Sequence, residues 1–443
     1  MEEYSSLQDR NSSVKMLFKG EKRSNIEQTD KEHLWHPLTQ HQTALPPLPI
    51  KKAKGVYLWD SNGNKYIDGI ASWYTAMYGH CHPKLTKAIS KQAKKLDQVV
   101  FTGFTHQAAT DLAEKLMQIL PQNQKRLFFS DNGSTSVEVA IKMALQYHFN
   151  KGVKKETLIA FEDGFHGDTF GAMSVSGLSV YNGPFEEFFI RVERIPVPNK
   201  DNIEQVMSKL QHLNETQHIA AFVYEPLIQG AAGMKMHEAA LLDRVLAFCK
   251  QHTILCIADE VMTGFGKTGT HFASEQLSNQ PDFICLSKAL SAGMLPLALT
   301  SCTEDIYSAF LSDELAKGFF HGHTYSANPL ACAVASAAID LLNSKSIQNA
   351  IRRIEKQHRQ FVEELNANDK VSNARCKGVI LAFELNKKMS RYGNKRNELY
   401  QFFMRQGVYL RPLGNTIYIS APYTSTTRQM NKIYNAVRAA IEL

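Results

Sequence analysis

Short apolar runs recur along the middle of this chain, and they constrain its fold more than any other feature. The runs are RLFFS (126–130), TLIAF (157–161), AAFVYE (220–225), TILCIAD (253–259) and DFICL (282–286). The last three lie roughly thirty residues apart, with helical patterns such as Ala239–Gln251 between them. Nearly continuous apolar strands joined by crossover helices predict an α/β fold, with a mainly parallel sheet covered on both faces.

The flanking sequence predicts further elements. A hairpin is expected around the turn residues Asp60–Asn64, and a helix is expected from Pro83 to Leu96. We divide the chain into an N-terminal extension (1–30), a segment that contributes to the small domain and the active site (31–95), a large domain (96–330) and a C-terminal small α+β domain with its connecting helix (331–443).

Composition excludes several classes of protein. Lys and Arg (50) exceed Asp and Glu (43) by only 7 over 443 residues, so the charge does not indicate a nucleic-acid partner. The seven cysteines contain no CxxC pair, which favours reduced thiols and a cytoplasmic location. We find no uninterrupted apolar stretch of membrane-spanning length and expect no membrane partner. Paired histidines at His80/His82 and His321/His323 lack companion ligands, so no metal is expected.

Reactive side chains follow two of the predicted strands. Asp259 and Glu260 end one strand, and Ser287 and Lys288 come directly after the next. Ligands of open α/β sheets bind beyond the carboxyl ends of the strands. A lysine in apolar surroundings has a lowered pKa and can form a Schiff base. The alternative is an Asp–Lys ion pair that only ties two strands together.

A second group of residues lies at a predicted helix start after RLFFS. Gly133 and Ser134 lie in the sequence DNGST, where backbone N–H groups and hydroxyls favour an anion such as phosphate. Thr135 and Glu138 have the spacing of a capping box, which predicts a helix from about Thr135. An ordinary capped helix without a ligand is the alternative.

A third candidate is Phe165, in the loop after TLIAF, where an aromatic ring can stack on a planar cofactor or pack in the core. Together, the phosphate site, the aromatic ring, Asp259 and Lys288 are what pyridoxal 5′-phosphate (PLP) requires. The lysine would hold its aldehyde, and the aspartate would pair with the pyridinium nitrogen.

Longer motifs resemble those of class III aminotransferases, which are PLP enzymes of fold type I. The motifs are FEDGFHGDTFGAM (161–173), ADEVMTGFGKTG (258–269), LSKAL (286–290) and HGHTYSANPLA (321–331). The resemblance extends from about Lys31 to the C-terminus. It implies a large domain with a mainly parallel seven-stranded sheet, a smaller α+β domain, and a homodimer with shared active sites.

The resemblance also implies roles for individual residues. Lys288 is the expected catalytic residue. The residues expected to bind the cofactor are Gly133, Ser134, Phe165, Asp259, Lys288, His323 and Thr324. The residues expected to bind substrate are Trp73, Phe165, Lys288, Gly322 and Arg411. Gly322, His323 and Thr324 would come from the partner subunit, and Glu225 would support the cofactor.

Within this family, HLWHP, ASWY, HGDT and VYLRPLG are similar to the branch that converts 8-amino-7-oxononanoate to 7,8-diaminononanoate in biotin biosynthesis, with S-adenosylmethionine as amino donor. The chain departs from the pattern of that branch at Leu38, Tyr74, Phe165 and Lys267. Lysine as donor therefore stays open. So do another class III transaminase of ω-amino acids or diamines, a PLP enzyme of another reaction type such as a racemase, and a PLP-binding protein without catalysis.

Overall fold

A computed structural model of the protein describes residues 25–179, 182–391 and 393–443. Residues 1–24, most of the predicted N-terminal extension, lie outside the described residues. The chain forms two compact units. One runs up to Lys52 and includes Trp59–Asn64, and the other comprises Ala53–Leu58 and Lys65–Leu443. In the first unit the Asp60 carboxylate accepts hydrogen bonds from the backbone N–H groups of Asn62 and Asn64, which forms the turn predicted there.

Sixteen strands lie in the described residues. They are β1 (Ile50–Lys54), β2 (Tyr57–Asp60), β3 (Lys65–Asp68), β4 (Gln124–Ser130), β5 (Thr157–Phe161), β6 (Val192–Ile195), β7 (Ile219–Tyr224), β8 (Ile228–Gln229), β9 (Lys235–Met236), β10 (Leu255–Asp259), β11 (Phe283–Leu286), β12 (Ala298–Thr303), β13 (Val371–Lys377), β14 (Ile380–Leu385), β15 (Val408–Tyr409) and β16 (Thr416–Ile419).

The helices alternate with these strands through the middle of the chain. They are α1 (Asn25–His33), α2 (Pro83–Ala93), α3 (Gln107–Ile119), α4 (Gly133–Asn150), α5 (Phe170–Ser174), α6 (Ile203–Thr216), α7 (Ala239–Gln251), α8 (Glu304–Ser308), α9 (Pro329–Leu342), α10 (Lys345–Asn366), α11 (Asn394–Arg405) and α12 (Thr427–Ile441).

A seven-stranded sheet in the order β4-β12-β11-β10-β7-β5-β6 forms the centre of the larger unit. Strand β12 pairs antiparallel with both β11 and β4, and the other pairings are parallel. All residues of β5, β7, β10 and β11 are buried, as expected for strands covered on both faces. The predicted mainly parallel α/β fold is confirmed.

The C-terminal elements build smaller sheets. Strands β13, β14 and β16 form an antiparallel sheet, with helix α10 packed on β13 and β14. Strand β15 pairs in parallel with β3, so that Tyr409 lies beside Asp68. Because the two strands are paired and parallel, the chain segments that follow β3 and β15 start side by side.

Helix α4 starts differently from the prediction. Its N-cap is Asn132, whose side chain accepts a hydrogen bond from the backbone N–H of Thr135, and Thr135 completes the capping box. The predicted Thr135–Glu138 box was wrong because Asn132, a preferred N-cap residue, already occupies that position. Glu138 instead accepts hydrogen bonds from the Thr169 hydroxyl and, at 2.9 Å, the Ala172 backbone N–H at the start of α5.

Two further findings concern the cysteines and the helices. All seven cysteines are free, and five of them are buried. Across the described ranges, no single helix is both long and apolar enough to cross a membrane. The pair α9 and α10, bent by 66° at its junction, reaches that length and hydropathy only when taken together.

Candidate active site

The predicted reactive residues follow strands whose carboxyl ends meet at one edge of the seven-stranded sheet. Asp259 is the last residue of β10, Glu225 follows β7, and Lys288 lies two residues after β11. Because β10 pairs in parallel with both β7 and β11, these three residues come from neighbouring strand ends. The expectation that Asp259 and Lys288 come from adjacent strands is confirmed.

Asp259 is buried and has an ionic partner that the sequence did not indicate. Its Oδ2 lies 2.8 Å from Nδ1 of His166, and its Oδ1 accepts the backbone N–H of Val261 at 3.0 Å. Burial alone would lower the pKa of His166, but the hydrogen bond and the negative charge of Asp259 raise it above its ordinary value. The two contacts therefore fix the orientation of the Asp259 side chain at the end of β10.

Glu225 is a second buried carboxyl group in this region. It accepts hydrogen bonds from the backbone N–H groups of Gly230 at 2.9 Å and of Phe165 at 3.1 Å. Burial raises the pKa of Glu225 to about 7, and the charge of Asp259 contributes to the rise. Glu225 therefore fixes the backbone that carries the Phe165 ring, which is itself 39% exposed.

Lys288 begins a short 3-10 turn, Lys288–Ser291, with a left-handed φ of 46°. Its ammonium nitrogen lies 5.3 Å from the centre of the Tyr74 ring. Burial lowers the pKa of Lys288, while Asp259 and Glu225 oppose the shift through their charges. A larger fraction of this amine is therefore neutral near pH 7 than of an exposed lysine.

The first turn of α4 provides hydrogen-bond donors for an anion. The first backbone N–H groups of a helix have no partner inside the helix, and here they belong to Gly133 and Ser134. The Ser134 hydroxyl accepts the Asp168 N–H at 3.2 Å. Gly167 permits this close approach, because a Cβ there would lie 2.1 Å from the Ser134 hydroxyl oxygen.

Arg411 and Trp73 form a separate group. The Arg411 guanidinium carbon lies 5.2 Å from the centre of the Trp73 ring, within cation–π range. Among the ion pairs of the described residues, none involves Arg411. A guanidinium without a carboxylate partner is suited to bind the carboxylate of a substrate.

The segment with Gly322, His323 and Thr324 is held from its own chain by Gln98, which donates to the Thr324 carbonyl at 2.7 Å. Gly322 and Thr324 are exposed, and so are the neighbouring Phe320 and Tyr325. In the part of the chain that the structure describes, no hydrogen bond joins His323 or Thr324 to Ser134 or Asp259.

Sequence reasoning missed two residues of this site. His166 lies in the HGDT motif, but nothing in its spacing indicates that it pairs with Asp259, 93 residues away. In the sequence, Tyr74 stands out only as a departure from the pattern of the 8-amino-7-oxononanoate branch, whereas in the structure its ring lies beside Lys288. The position of HGDT in the loop that follows strand β5 was the one signal available for His166.

The fold, the strand-end carboxylate and lysine, and the phosphate-type helix start define a class of protein. The sequence profile of the family described as "Aminotransferase class-III" matches residues 38–441. The chain belongs to this family. PLP is the cofactor of class III aminotransferases, and a solved relative, an amine transaminase from an uncultivated Pseudomonas species, is PLP-bound.

Individual relatives are more specific. The adenosylmethionine-8-amino-7-oxononanoate aminotransferase of Synechococcus elongatus is 41% identical over 91% of this chain and 97% of its own. The enzyme of the same name from Helicobacter pylori is 34% identical over 95% and 97%. The structure of the Methanocaldococcus jannaschii enzyme of that name has a TM-score of 0.89 at 32% identity, covering 94% of this chain and 98% of its own.

The side chains present fit PLP. The unpaired N–H groups and the hydroxyl at the start of α4 suit a phosphate, and the Asp259–His166 pair suits a protonated ring nitrogen. The lowered pKa of Lys288 favours the neutral amine, which is the form that makes a Schiff base with an aldehyde. The start of α4, the end of β10 and the turn after β11 provide these groups.

Proposed function

We propose that this chain transaminates 8-amino-7-oxononanoate to 7,8-diaminononanoate in biotin biosynthesis, with S-adenosylmethionine as amino donor. The observation that carries the proposal is the buried Asp259–His166 pair next to Lys288, combined with an Arg411 that packs against Trp73 and has no acidic partner among the described residues. The relatives of that name support the choice of substrate. We also propose a cytoplasmic location.

When bound, PLP supplies an electron sink that stabilises negative charge on the carbon that carries the substrate amine. We assign its phosphate to Gly133, Ser134 and, from the partner, His323 and Thr324. Asp259, oriented by its contact with His166, would pair with the ring nitrogen and hold a proton there. Phe165 would cover one ring face, and its backbone N–H donates a hydrogen bond to Glu225.

Lys288 is the proposed acid and base of the reaction. With the cofactor bound, its amine would accept the proton from the amine-bearing carbon of the donor and hold it as an ammonium group. The lowered pKa of Lys288 supplies the neutral amine for the first transfer. In the second half of the reaction the same group would give a proton to the carbon that carries the amine in the product.

Arg411 binds the carboxylate of the substrate, and Trp73 and Gly322 line the same pocket. The support for this assignment is that the guanidinium packs on the Trp73 ring and has no acidic partner in the described chain. An arginine offers two parallel N–H donors to a carboxylate.

We further propose a homodimer in which each site receives Gly322, His323 and Thr324 from the partner subunit. The segment is exposed and lies between two exposed aromatic residues, Phe320 and Tyr325. Exposed apolar side chains beside exposed polar groups are typical of a surface that another chain covers.

The half-reactions test the substrates. PLP-loaded enzyme is mixed separately with S-adenosylmethionine and with lysine, and the visible absorbance of the bound cofactor is followed. After 8-amino-7-oxononanoate is added, mass spectrometry detects diaminononanoate. A change with S-adenosylmethionine followed by product supports the proposal. A change with lysine alone assigns the other donor, and no product with either donor refutes the substrate.

Subunit complementation tests the shared site. The variants Lys288→Ala and Thr324→Ala are each expected to be nearly inactive. In a mixed dimer one site combines the intact Lys288 of one subunit with the intact Thr324 of the other. Restored activity after co-refolding supports shared sites, whereas the sum of the two residual activities contradicts them.

A further inference from the structure

Four consecutive residues beside the candidate site have left-handed backbone conformations. Ala71, Ser72, Trp73 and Tyr74 have φ values of 47°, 47°, 61° and 68°, and none of them is glycine. Residues with a Cβ adopt this region rarely, and then usually singly. Such a turn persists only where surrounding contacts hold it.

A buried carboxylate holds the turn. Asp68, the last residue of β3, is fully buried, and its Oδ2 accepts the Ser72 hydroxyl at 2.9 Å. The same oxygen lies 2.8 Å from Nε2 of His80, and Oδ1 accepts the backbone N–H of Ile70 at 3.3 Å. Three groups from before, within and after the turn therefore meet at one side chain.

The turn sets the positions of two aromatic rings. Trp73 lies against Arg411, and the next residue, Tyr74, lies beside Lys288. The strand pairing supports the same arrangement, because Asp68 pairs with Tyr409, two residues before Arg411. A change in the turn would displace Trp73 from the guanidinium, while Arg411 keeps its place two residues after β15.

We propose that Asp68, acting through Ser72 and His80, is a positioning residue that holds Trp73 against Arg411 and so sets the affinity for the substrate carboxylate. This inference rests on the proposed role of Arg411 in substrate binding. Asp68 itself touches neither substrate nor cofactor. Its effect is carried by the geometry of the Ala71–Tyr74 turn.

Binding of a simple carboxylate tests the proposal without turnover. The variants Ser72→Ala and Asp68→Asn are compared with the wild type, each loaded with cofactor. We expect the Kd of nonanoate to rise about tenfold, the size expected when a contact to a charged group is lost. The Kd of nonanamide, which has the same chain length but no charge, should change less than about twofold.

Two features make the comparison specific. Ser301→Ala is the matched control, because it removes another buried hydroxyl whose hydrogen bond, 2.7 Å to Gln124, lies between β12 and β4. It should lower the melting temperature and leave both Kd values unchanged. Equal weakening of nonanoate and nonanamide in the Asp68 and Ser72 variants would overturn the proposal.

Fluorescence gives a second readout that does not depend on any substrate. The chain has three tryptophans, so a Trp35→Phe/Trp59→Phe background reports on Trp73 alone. Adding Ser72→Ala should increase acrylamide quenching at least about twofold, because the ring leaves the guanidinium. Unchanged quenching overturns the proposal. Increased quenching in an enzyme that does not convert 8-amino-7-oxononanoate supports the positioning role and refutes only the proposed substrate.

Discussion

Lys267 offers the sharpest test of the electrostatics of this site. Its side chain is fully buried, and its only hydrogen bond in the described chain is donated by Nζ to the Gly264 carbonyl at 2.7 Å. Burial lowers the pKa of Lys267 to about 7, and the positive charge of Lys288 contributes to the shift. We therefore expect Lys267 to be about half neutral at pH 7.

The consequence is a pH-dependent stability of defined sign. The pKa of Lys267 is lowered in the folded state, whereas the unfolded chain keeps its ordinary value of 10.5. Between pH 7 and 9 the unfolded chain thus binds more protons, and the free energy of unfolding rises with pH. Each proton that the unfolded chain binds in excess of the folded protein raises the free energy of unfolding by about 1.4 kcal/mol per pH unit. Because Lys267 is only partly protonated in the folded protein at pH 7, its contribution between pH 7 and 9 is about 2 kcal/mol.

The assay is urea unfolding of matched proteins at pH 7, 8 and 9. Lys267→Met cannot titrate, and Lys267→Arg keeps its charge throughout this range, so both serve as controls. The wild type should gain about 2 kcal/mol relative to each variant as the pH rises from 7 to 9. Parallel stability curves for all three proteins would refute the lowered pKa and the reasoning built on it.

Three further predictions concern the site and the core. His166→Asn removes the imidazole that contacts Asp259, so PLP affinity measured by titration of the apoenzyme should fall about tenfold; an unchanged affinity would exclude this role. Gly167→Ala should displace Ser134 and weaken phosphate binding, whereas Gly183→Ala, where a Cβ would meet no atom within 4 Å, should change neither binding nor stability. Ile257→Ala in β10 should lower the free energy of unfolding by about 2–5 kcal/mol, and a loss below about 1 kcal/mol would contradict the tight packing of the sheet.

The sequence predicts the central strands because their residues are buried on both faces. Runs such as LCIAD and FICL consist almost entirely of apolar residues. Asp259 ends the first run and Lys288 follows the second by two residues, so both lie at one edge of the sheet. Strand β12 was not predicted, although all but its last residue are buried. Its sequence, ALTSCT, mixes hydroxyl groups with small apolar residues and matches no strand pattern.

Residues that depend on distant contacts escaped prediction. His166 and Asp259 meet only because β5 and β10 lie on either side of β7 in the sheet. The left-handed turn at Ala71–Tyr74 was also missed, since a sequence signals a positive φ through glycine or asparagine and this turn contains neither. In both cases the determining information lies in strand order and tertiary contacts.

Part of the backbone strain of this chain lies where its chemistry is proposed. Among the non-glycine residues with positive φ, Trp73, Tyr74 and Lys288 lie in the candidate site, and Phe265 follows Asp259 by six residues. Each conformation costs on the order of 1–3 kcal/mol and persists only if packing determines it. The fully buried core around these segments supplies that packing. Substitutions that loosen the core near Phe265 should therefore reduce the fraction of correctly formed sites before they unfold the protein.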